Sequence, residues 1–192
     1  SGAVFFSGCS LGCVFCQNRA ISRGQSGKII TVERLAEIFL DLQRQKANNI
    51  NLVTAGHFLV QVREALILAK KQGLTIPVVY NSSGYEKAEM LQLLDGLVDI
   101  YLPDFKYMES DLAGKYSHAK DYPEIAREAL AEMVRQAGTP EFDDRGMMKK
   151  GVIVRHLLLP GHVRNSRKVL EYLYETYKDQ IYISLMNQYT PM

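Results

Sequence analysis

Three cysteines lie within eight residues near the start of the chain. Cys9, Cys13 and Cys16 form a CxxxCxxC pattern directly after the apolar residues 3–6, and the 192 residues contain no other cysteine. A [4Fe-4S] cluster is normally held by four cysteine thiolates. Three cysteines in this spacing would leave one iron without a protein ligand and open to a small molecule. We therefore predict an iron–sulfur site in this loop.

Disulfides, zinc and inert buried cysteines are the alternatives to an iron–sulfur site. An odd number of cysteines without a preceding signal-peptide pattern argues against a disulfide framework. Structural zinc usually takes four ligands, so zinc would need a distant fourth residue such as His57. A buried free cysteine behaves as a small apolar residue, but three of them flanked by Gly8 and Gly12 are more typical of a backbone wrapped around a bound group. The cluster is favoured, and two alternatives stay open: a zinc-binding metalloprotein or hydrolase, and a partial domain that binds a cluster without catalysis.

Polar side chains follow the other predicted strands at the point where each strand ends. In parallel α/β folds the ligand binds outside the carboxyl ends of the strands, where the loops gather. The segments at this edge are Thr54-Ala55-Gly56-His57, Asn81-Ser82-Ser83-Gly84, Pro103-Asp104-Phe105-Lys106, Arg155-His156 and Asn187-Gln188. We expect them to meet the cysteine loop at one mouth.

Arg155 is the least ordinary of these residues, because it lies between the apolar segments 152–154 and 157–159. An unpaired guanidinium in such surroundings is costly, so Arg155 is expected to contact an anion. Asp104 is one candidate, and a ligand carboxylate is the other. For Asp104 and Lys106, two residues apart on a strand, a mutual ion pair without function is the simpler alternative.

Six short apolar runs alternate with helix-period segments, a pattern typical of βα units and a parallel sheet. Thr31 and Ser166 are predicted N-caps, Gly73 a helix end, and Pro123 a first-turn residue. Residues 139–150 predict a loop or hairpin. The predicted strands cover residues 3–6, 50–54, 76–80, 98–102, 152–157 and 181–186. A complete eight-stranded barrel takes about 250 residues, so we predict an α/β fold with a partial (β/α)6 TIM-like barrel.

Composition indicates a globular chain with a substantial core, since 47% of the residues are hydrophobic. We expect a single domain spanning residues 1–192. A net charge of +2 gives no reason to predict a nucleic-acid partner, and no apolar run is long enough to cross a membrane. Reduced cysteines favour a cytoplasmic location. Because the chain starts with Ser1 and only residues 187–192 follow the last strand, we expect truncation at one or both ends, with the sixth helix missing.

Taken together, these motifs resemble the radical SAM superfamily, whose signature is a CxxxCxxC loop after the first strand of a partial barrel. More narrowly, they resemble an uncharacterised branch related to the pyruvate formate-lyase activating enzymes. The resemblance covers nearly the whole chain. The segments that carry it are FSGCSL (6–11), CVFCQN (13–18), NLVT (51–54), VYNSSGY (79–85), YLPDFKY (101–107) and VRHLLLPG (154–161).

The resemblance implies that Cys9, Cys13 and Cys16 hold a [4Fe-4S] cluster whose fourth iron is chelated by S-adenosylmethionine (SAM). One-electron reduction then cleaves SAM to methionine and a 5′-deoxyadenosyl radical, which abstracts a hydrogen atom. In the activating enzymes this hydrogen comes from a glycine of a partner glycyl-radical enzyme. The implied activity is that of a radical SAM oxidoreductase, with a flavodoxin- or ferredoxin-type electron donor.

The resemblance also implies roles around SAM. Phe15 matches an aromatic residue beside the adenine, and polar positions near the ligand are matched by Asn81, Ser82, Ser83, Asp104, Lys106 and Arg155. One departure concerns the Gly-Gly-Glu motif that holds the methionine amino group, because the aligned residues here are Ala55-Gly56-His57. A neutral imidazole has one acceptor and an imidazolium has none, so His57 would bind that amino group differently from a carboxylate.

Overall fold

The computed structural model describes residues 1–24 and 26–188. Its strands are β1 (Gly2–Phe5), β2 (Ile50–Val53), β3 (Val78–Ser82), β4 (Ile100–Pro103), β5 (Glu141–Phe142), β6 (Met148–Leu157) and β7 (Tyr182–Met186). Its α-helices are α1 (Arg19–Ser22), α2 (Val32–Arg44), α3 (Leu59–Lys71), α4 (Ala88–Leu91), α5 (Ser110–Ser117), α6 (Tyr122–Ala137) and α7 (Val163–Tyr177). Short 3-10 helices cover Ala55–Phe58, Gln92–Leu94 and Lys178–Gln180.

The strands form one parallel sheet in the order β1-β2-β3-β4-β6-β7, and β5 adds an antiparallel edge to β6. All six predicted strands are present, and the predicted α/β class is confirmed. Within the described residues β1 pairs with β2 and β7 pairs with β6, so the sheet is open between its first and last parallel strands. Residues 189–192, part of the segment after the last strand, lie outside the described residues.

Alternation along the strands separates the core from the concave face of the sheet. One row of residues in register across four strands faces the helices and is fully buried: Leu52, Tyr80, Tyr101 and Val152. Neighbouring positions, such as Asn51, Asn81 and Arg155, have the opposite orientation and line a cavity on the concave face. The alternation of apolar and polar residues thus directs the polar side chains to the site.

Helix ends follow the predicted signals at three of four positions. The Thr31 hydroxyl accepts a hydrogen bond from the Arg34 N–H at 3.2 Å, which caps α2. Gly73 adopts φ +99° after α3, and Pro123 lies in the first turn of α6. The prediction for Ser166 was wrong, since α7 begins three residues earlier. Its hydroxyl lies 2.9 Å from the buried ring of His156 and does not cap a helix.

Two further differences concern strand limits and a helix that was not predicted. Strand β3 begins at Val78 because Pro77 lacks an N–H, and it continues to Ser82. The 139–150 segment forms the predicted hairpin through β5 and β6. Helix α5 (Ser110–Ser117) was missed because it is short, contains Gly114 and buries only small side chains. None of the helices in the described ranges is long and apolar enough to span a bilayer.

Candidate functional site

A cavity of about 370 Å³ lies at the carboxyl ends of the parallel strands. Its volume is in the range of about 300–1,000 Å³ that is typical of small-molecule sites. It collects residues from β1, β2, β3, β6 and β7, from the cysteine loop and from the segment that follows β4. Ten of the predicted site residues line it together: Cys9, Cys13, Phe15, Cys16, Asn81, Ser82, Ser83, Asp104, Lys106 and Arg155. The expectation of one common mouth is confirmed for these residues.

The cysteine loop is held by backbone hydrogen bonds to α1 and α5. The N–H of Gly8 donates to Ile21 O at 3.1 Å, and the N–H of Val14 donates to Tyr116 O at 2.9 Å. Gly8 has φ +90°, a left-handed conformation that side-chain-bearing residues rarely adopt. All three cysteines are free thiols of intermediate burial. Burial raises the pKa of the Cys9 thiol. The loop is therefore preformed, with its sulfurs facing a cavity large enough for a ligand.

A compact charged group lies in the same cavity. One carboxylate oxygen of Asp104 is 2.8 Å from Nη2 of Arg155, and the other contacts the ammonium of Lys106. Arg155 Nη2 also donates to Asn81 Oδ1 at 2.8 Å. Burial would raise the pKa of the Asp104 carboxyl, but Lys106 and Arg155 outweigh burial and hold that pKa below its usual range. Two cations around one carboxylate leave a net charge of +1 in the cavity.

The hydroxyl of Tyr122 keeps this group in place. It lies 2.8 Å from Ser83 O and 3.0 Å from Asp104 O, and it accepts a hydrogen bond from the Lys106 N–H at 3.0 Å. Tyr122 is fully buried in the first turn of α6. One core side chain thus ties the ends of β3 and β4 together at the cavity.

Two buried side-chain polar atoms of cavity-lining residues lack hydrogen-bond partners within the described ranges: Nε of Arg155 and Oδ1 of Asn51. A buried polar group without a partner is costly, so these atoms mark the cavity as one suited to a polar ligand. Asn51 was not singled out from the sequence. The signal was present, because it is a polar residue between the buried Ile50 and Leu52 of β2.

Gly56 and His57 lie apart from the larger cavity. They line a second cavity of about 150 Å³, which shares Thr54 and Ser83 with the first. The His57 ring packs against the cysteine loop, since a Cβ built at Gly8 would lie 3.1 Å from His57 Cδ2. The structure therefore places His57 beside the cysteines but not in the cavity that they line.

Glu86 was missed by sequence reasoning and lines the smaller cavity. The Ser82 hydroxyl donates to Glu86 Oε2 at 3.1 Å, so Ser82, which lines the larger cavity, is hydrogen-bonded to a residue of the smaller one. Burial raises the pKa of the Glu86 carboxyl to about 7. The Tyr80 hydroxyl, which has no hydrogen-bond partner among the residues that the structure describes, and the carboxylate of Glu86 both lie close to Gly56. A single carboxylate after a turn gives no distinctive sequence signal.

Three thiols beside a cationic group can hold a sulfur-ligated metal centre next to an anionic ligand. Across residues 1–24 and 26–188, no three or more histidine, cysteine, aspartate or glutamate side chains are arranged to bind one metal ion. Thiolates around a single zinc would each lie about 2.3 Å from it, whereas a cuboidal iron–sulfur cluster binds its cysteines at separate iron atoms. The donor set is therefore better suited to a cluster than to zinc.

Comparisons with solved structures extend the fold description. SuiB of Streptococcus suis bound to S-adenosylmethionine aligns with a TM-score of 0.64 at 9% identity, over 96% of this chain and 38% of that one. HydG, a maturase of the [FeFe]-hydrogenase, aligns with a TM-score of 0.63 at 12% identity, over 100% of this chain and 43% of that one. This likeness confirms the partial TIM-like barrel.

Sequence comparison identifies the family. The uncharacterised protein MJ0674 of Methanocaldococcus jannaschii is 30% identical over 202 residues, which cover 100% of this chain. The chain spans about half, 54%, of the length of that relative. Residues 3–173 match the Radical SAM superfamily, and this range includes all three cysteines and the whole charged group. The chain therefore belongs to the radical SAM superfamily.

Proposed function

We propose that residues 1–192 form one radical SAM core domain that cleaves S-adenosylmethionine reductively and abstracts a hydrogen atom from a substrate. The observation that carries this proposal is the presence of Cys9, Cys13 and Cys16 in one cavity with Asp104, Lys106 and Arg155. A sulfur-ligand set and an anion-binding group thus face the same space. Both are needed to hold SAM at an iron–sulfur cluster.

The three cysteines are the proposed ligands of a [4Fe-4S] cluster. Three protein thiolates leave one iron free for SAM. When bound, the cluster supplies one electron to the sulfonium of SAM, giving methionine and a 5′-deoxyadenosyl radical. The chain's own residues position the ligand and exclude water. Free thiols and such a cluster suit a reducing compartment, so we place the protein in the cytoplasm.

The proposed SAM contacts surround the cysteine loop. Arg155 Nε has no acceptor in the described part of the chain, and its net-positive surroundings favour the methionine carboxylate. The residues assigned to SAM are Phe15, Gly56, His57, Asn81, Ser82, Ser83, Asp104, Lys106 and Arg155. Gly56 and His57 take part through the smaller cavity, which adjoins the larger one at Thr54 and Ser83.

The proposed substrate is a glycine residue of a partner glycyl-radical enzyme, as in the pyruvate formate-lyase activating enzymes. The motifs after β1, β3, β4 and β6 resemble that branch. A polypeptide substrate is also supported by the likeness to SuiB, whose structure bound to its precursor peptide SuiA aligns with a TM-score of 0.63 at 10% identity, over 97% of this chain and 39% of that one. The proposed electron donor is a flavodoxin or ferredoxin.

Anaerobic reconstitution tests the proposed activity. The whole chain is loaded with iron and sulfide, reduced with dithionite and supplied with SAM. We expect acid-labile sulfide and 5′-deoxyadenosine from the wild type. Cys13→Ala should give less of both. Ser10→Ala, a change in the same loop that removes no thiol, is the matched control and retains both. Stoichiometric zinc without sulfide, or a cluster that yields no 5′-deoxyadenosine, would overturn the proposal.

The substrate has a separate test. A candidate glycyl-radical enzyme is produced with glycine deuterated at Cα and mixed with the loaded protein, SAM and reductant. Transfer of the deuterium atom to the 5′ carbon is expected, together with a glycyl radical signal in the electron paramagnetic resonance (EPR) spectrum. If 5′-deoxyadenosine forms without deuterium, glycine is not the hydrogen donor.

A further inference from the structure

A chain of two buried hydroxyl groups leads from the core to one cysteine of the loop. The Ser117 hydroxyl lies 2.9 Å from the sulfur of Cys13, and it lies 2.8 Å from the hydroxyl of Tyr107. Ser117 is 1% exposed and Tyr107 is fully buried. Ser117 lies outside the segments that resemble the family, whereas Tyr107 is the last residue of one of them, YLPDFKY (101–107). The contact between residues 13 and 117 joins the cysteine loop to the end of α5.

The backbone fixes this contact on both sides of Cys13. The N–H of Gly12 donates to Ser117 O at 3.3 Å, and the N–H of Val14 donates to Tyr116 O at 2.9 Å. The end of α5 therefore holds the Ser117 hydroxyl against Cys13. The comparable contact between Cys16 and the Ser22 hydroxyl is longer, at 3.4 Å. The contact at Cys13 is thus the shorter of the two, and backbone hydrogen bonds flank it on both sides.

Coordination to iron sets the direction of these hydrogen bonds. A cysteine bound to a metal is a thiolate and has no proton to donate. The Ser117 hydroxyl must then donate to the sulfur of Cys13. Because Ser117 has a single hydroxyl proton, its oxygen accepts a hydrogen bond from the Tyr107 hydroxyl. Successive hydrogen bonds polarise each other, so both hydroxyl dipoles point their positive ends toward the sulfur.

Hydrogen bonds to ligating sulfurs are among the factors that set the reduction potential of iron–sulfur clusters. Reduction adds one negative charge to the cluster, taken from an electron-donor protein that is oxidised in the same step. A donor dipole aimed at the sulfur stabilises the added charge. We infer that Tyr107 and Ser117 are positioning residues that act through Cys13 to raise the reduction potential of the cluster, an inference that rests on the proposed function.

The test is an EPR-monitored redox titration of the anaerobically reconstituted chain. We expect Ser117→Ala to lower the ratio of reduced to oxidised cluster about tenfold at the wild-type midpoint potential, which corresponds to 59 mV for a one-electron couple. Tyr107→Phe should shift the midpoint in the same direction by a smaller amount. Ser117→Thr, which keeps the hydroxyl, should retain the wild-type midpoint.

Matched controls remove buried hydroxyls that do not contact a cysteine. Ser166→Ala loses the contact to His156, and Tyr101→Phe loses the contact to Gln136. Both should retain the wild-type midpoint. If Ser117→Ala does not take up a cluster, Tyr107→Phe and Ser117→Thr decide the question. Full iron and sulfide content with unchanged midpoints in Ser117→Ala and Tyr107→Phe would overturn the inference and leave the cluster assignment intact, whereas a wild type without cluster would overturn the proposed function itself.

Discussion

The carboxylate of Asp104 lies 2.8 Å from Nη2 of Arg155, across the ends of the neighbouring strands β4 and β6. The two residues also form the isolated parallel bridge that continues this strand pair beyond its regular ladder. The second carboxylate oxygen contacts Lys106, and the three side chains are 15–25% exposed. Asp104 therefore neutralises one of two cations and orients both toward the cavity.

Removal of the Asp104 charge should destabilise the protein. Asp104→Asn leaves two partly buried cations without an anion, and we expect the free energy of unfolding to fall by about 3 kcal/mol. Urea denaturation of the metal-free chain measures this change. The matched control is Glu37→Gln, which breaks an ion pair with Arg34 whose side chains are more than half exposed and should cost less than about 1 kcal/mol. Equal losses in the two variants would contradict the role of Asp104.

Arg155→Lys should weaken SAM binding without preventing cluster assembly. Lysine keeps the positive charge but lacks the planar fork that holds Asn81 and Asp104 together and leaves Nε for a ligand. We expect the variant to lose about 1.4 kcal/mol of SAM-binding free energy, which raises the dissociation constant for SAM tenfold. Anaerobic calorimetry on protein of matched iron content measures it. Arg145→Lys, at an exposed hairpin ion pair, is the control, and similar affinities for both variants would contradict the assignment.

Gly8→Ala should disturb the cysteine loop through His57. An alanine held in a left-handed backbone conformation lowers the free energy of unfolding by about 1–2 kcal/mol at any position. At residue 8 its Cβ would also lie 3.1 Å from the His57 ring. Gly96→Ala is the control, because Gly96 has φ +72° and, apart from its chain neighbours, no atom of the described residues lies within 4 Å of the added Cβ. We expect Gly8→Ala to lose more unfolding free energy and more bound iron. Adding His57→Ala to Gly8→Ala should restore the unfolding free energy and the bound iron to the level of Gly96→Ala. If neither is restored, His57 is not responsible for the loss.

Glu86 should make stability depend on pH. Its pKa of about 7 in the folded protein lies above its ordinary value of 4.5, so the folded state retains a proton that the unfolded state loses. This contribution is complete below about pH 4.5 and is lost as the pH rises through 7. Glu86→Gln removes this pH-dependent contribution. The free energy of unfolding of the variant, relative to that of the wild type, should therefore rise by about 2 to 3 kcal/mol from pH 5 to pH 8.

Urea denaturation of both proteins at the two pH values measures the Glu86 effect. Glu89→Gln, an exposed change on α4, is the control and should follow the wild type. A constant difference between Glu86→Gln and wild type across this range would contradict the prediction.

Local sequence patterns determined the sheet and most of the site. The apolar runs predicted all six parallel strands because short apolar, β-branched-rich segments that alternate with helix-period segments are typical of βα units. The polar residues that follow these strands had to share one edge, since parallel strands end on the same side. For this reason Asp104, Lys106 and Arg155 could be placed in one cavity with Cys9 and Cys13, and Asp104 could be named as a partner of Arg155.

Only the tertiary structure decided which atoms meet across long sequence separations. The position of His57 against Gly8, the contact of Glu86 with Ser82 and the contact of Ser166 with His156 depend on how loops, helices and strands pack against each other. Each residue has an ordinary local role that the sequence equally allows. The contact of Ser117 with Cys13 spans 104 residues and requires α5, whose short, glycine-containing segment carries a weak helical signal. Local periodicity therefore determined which residues face the site, and packing of distant segments decided which groups surround each cysteine.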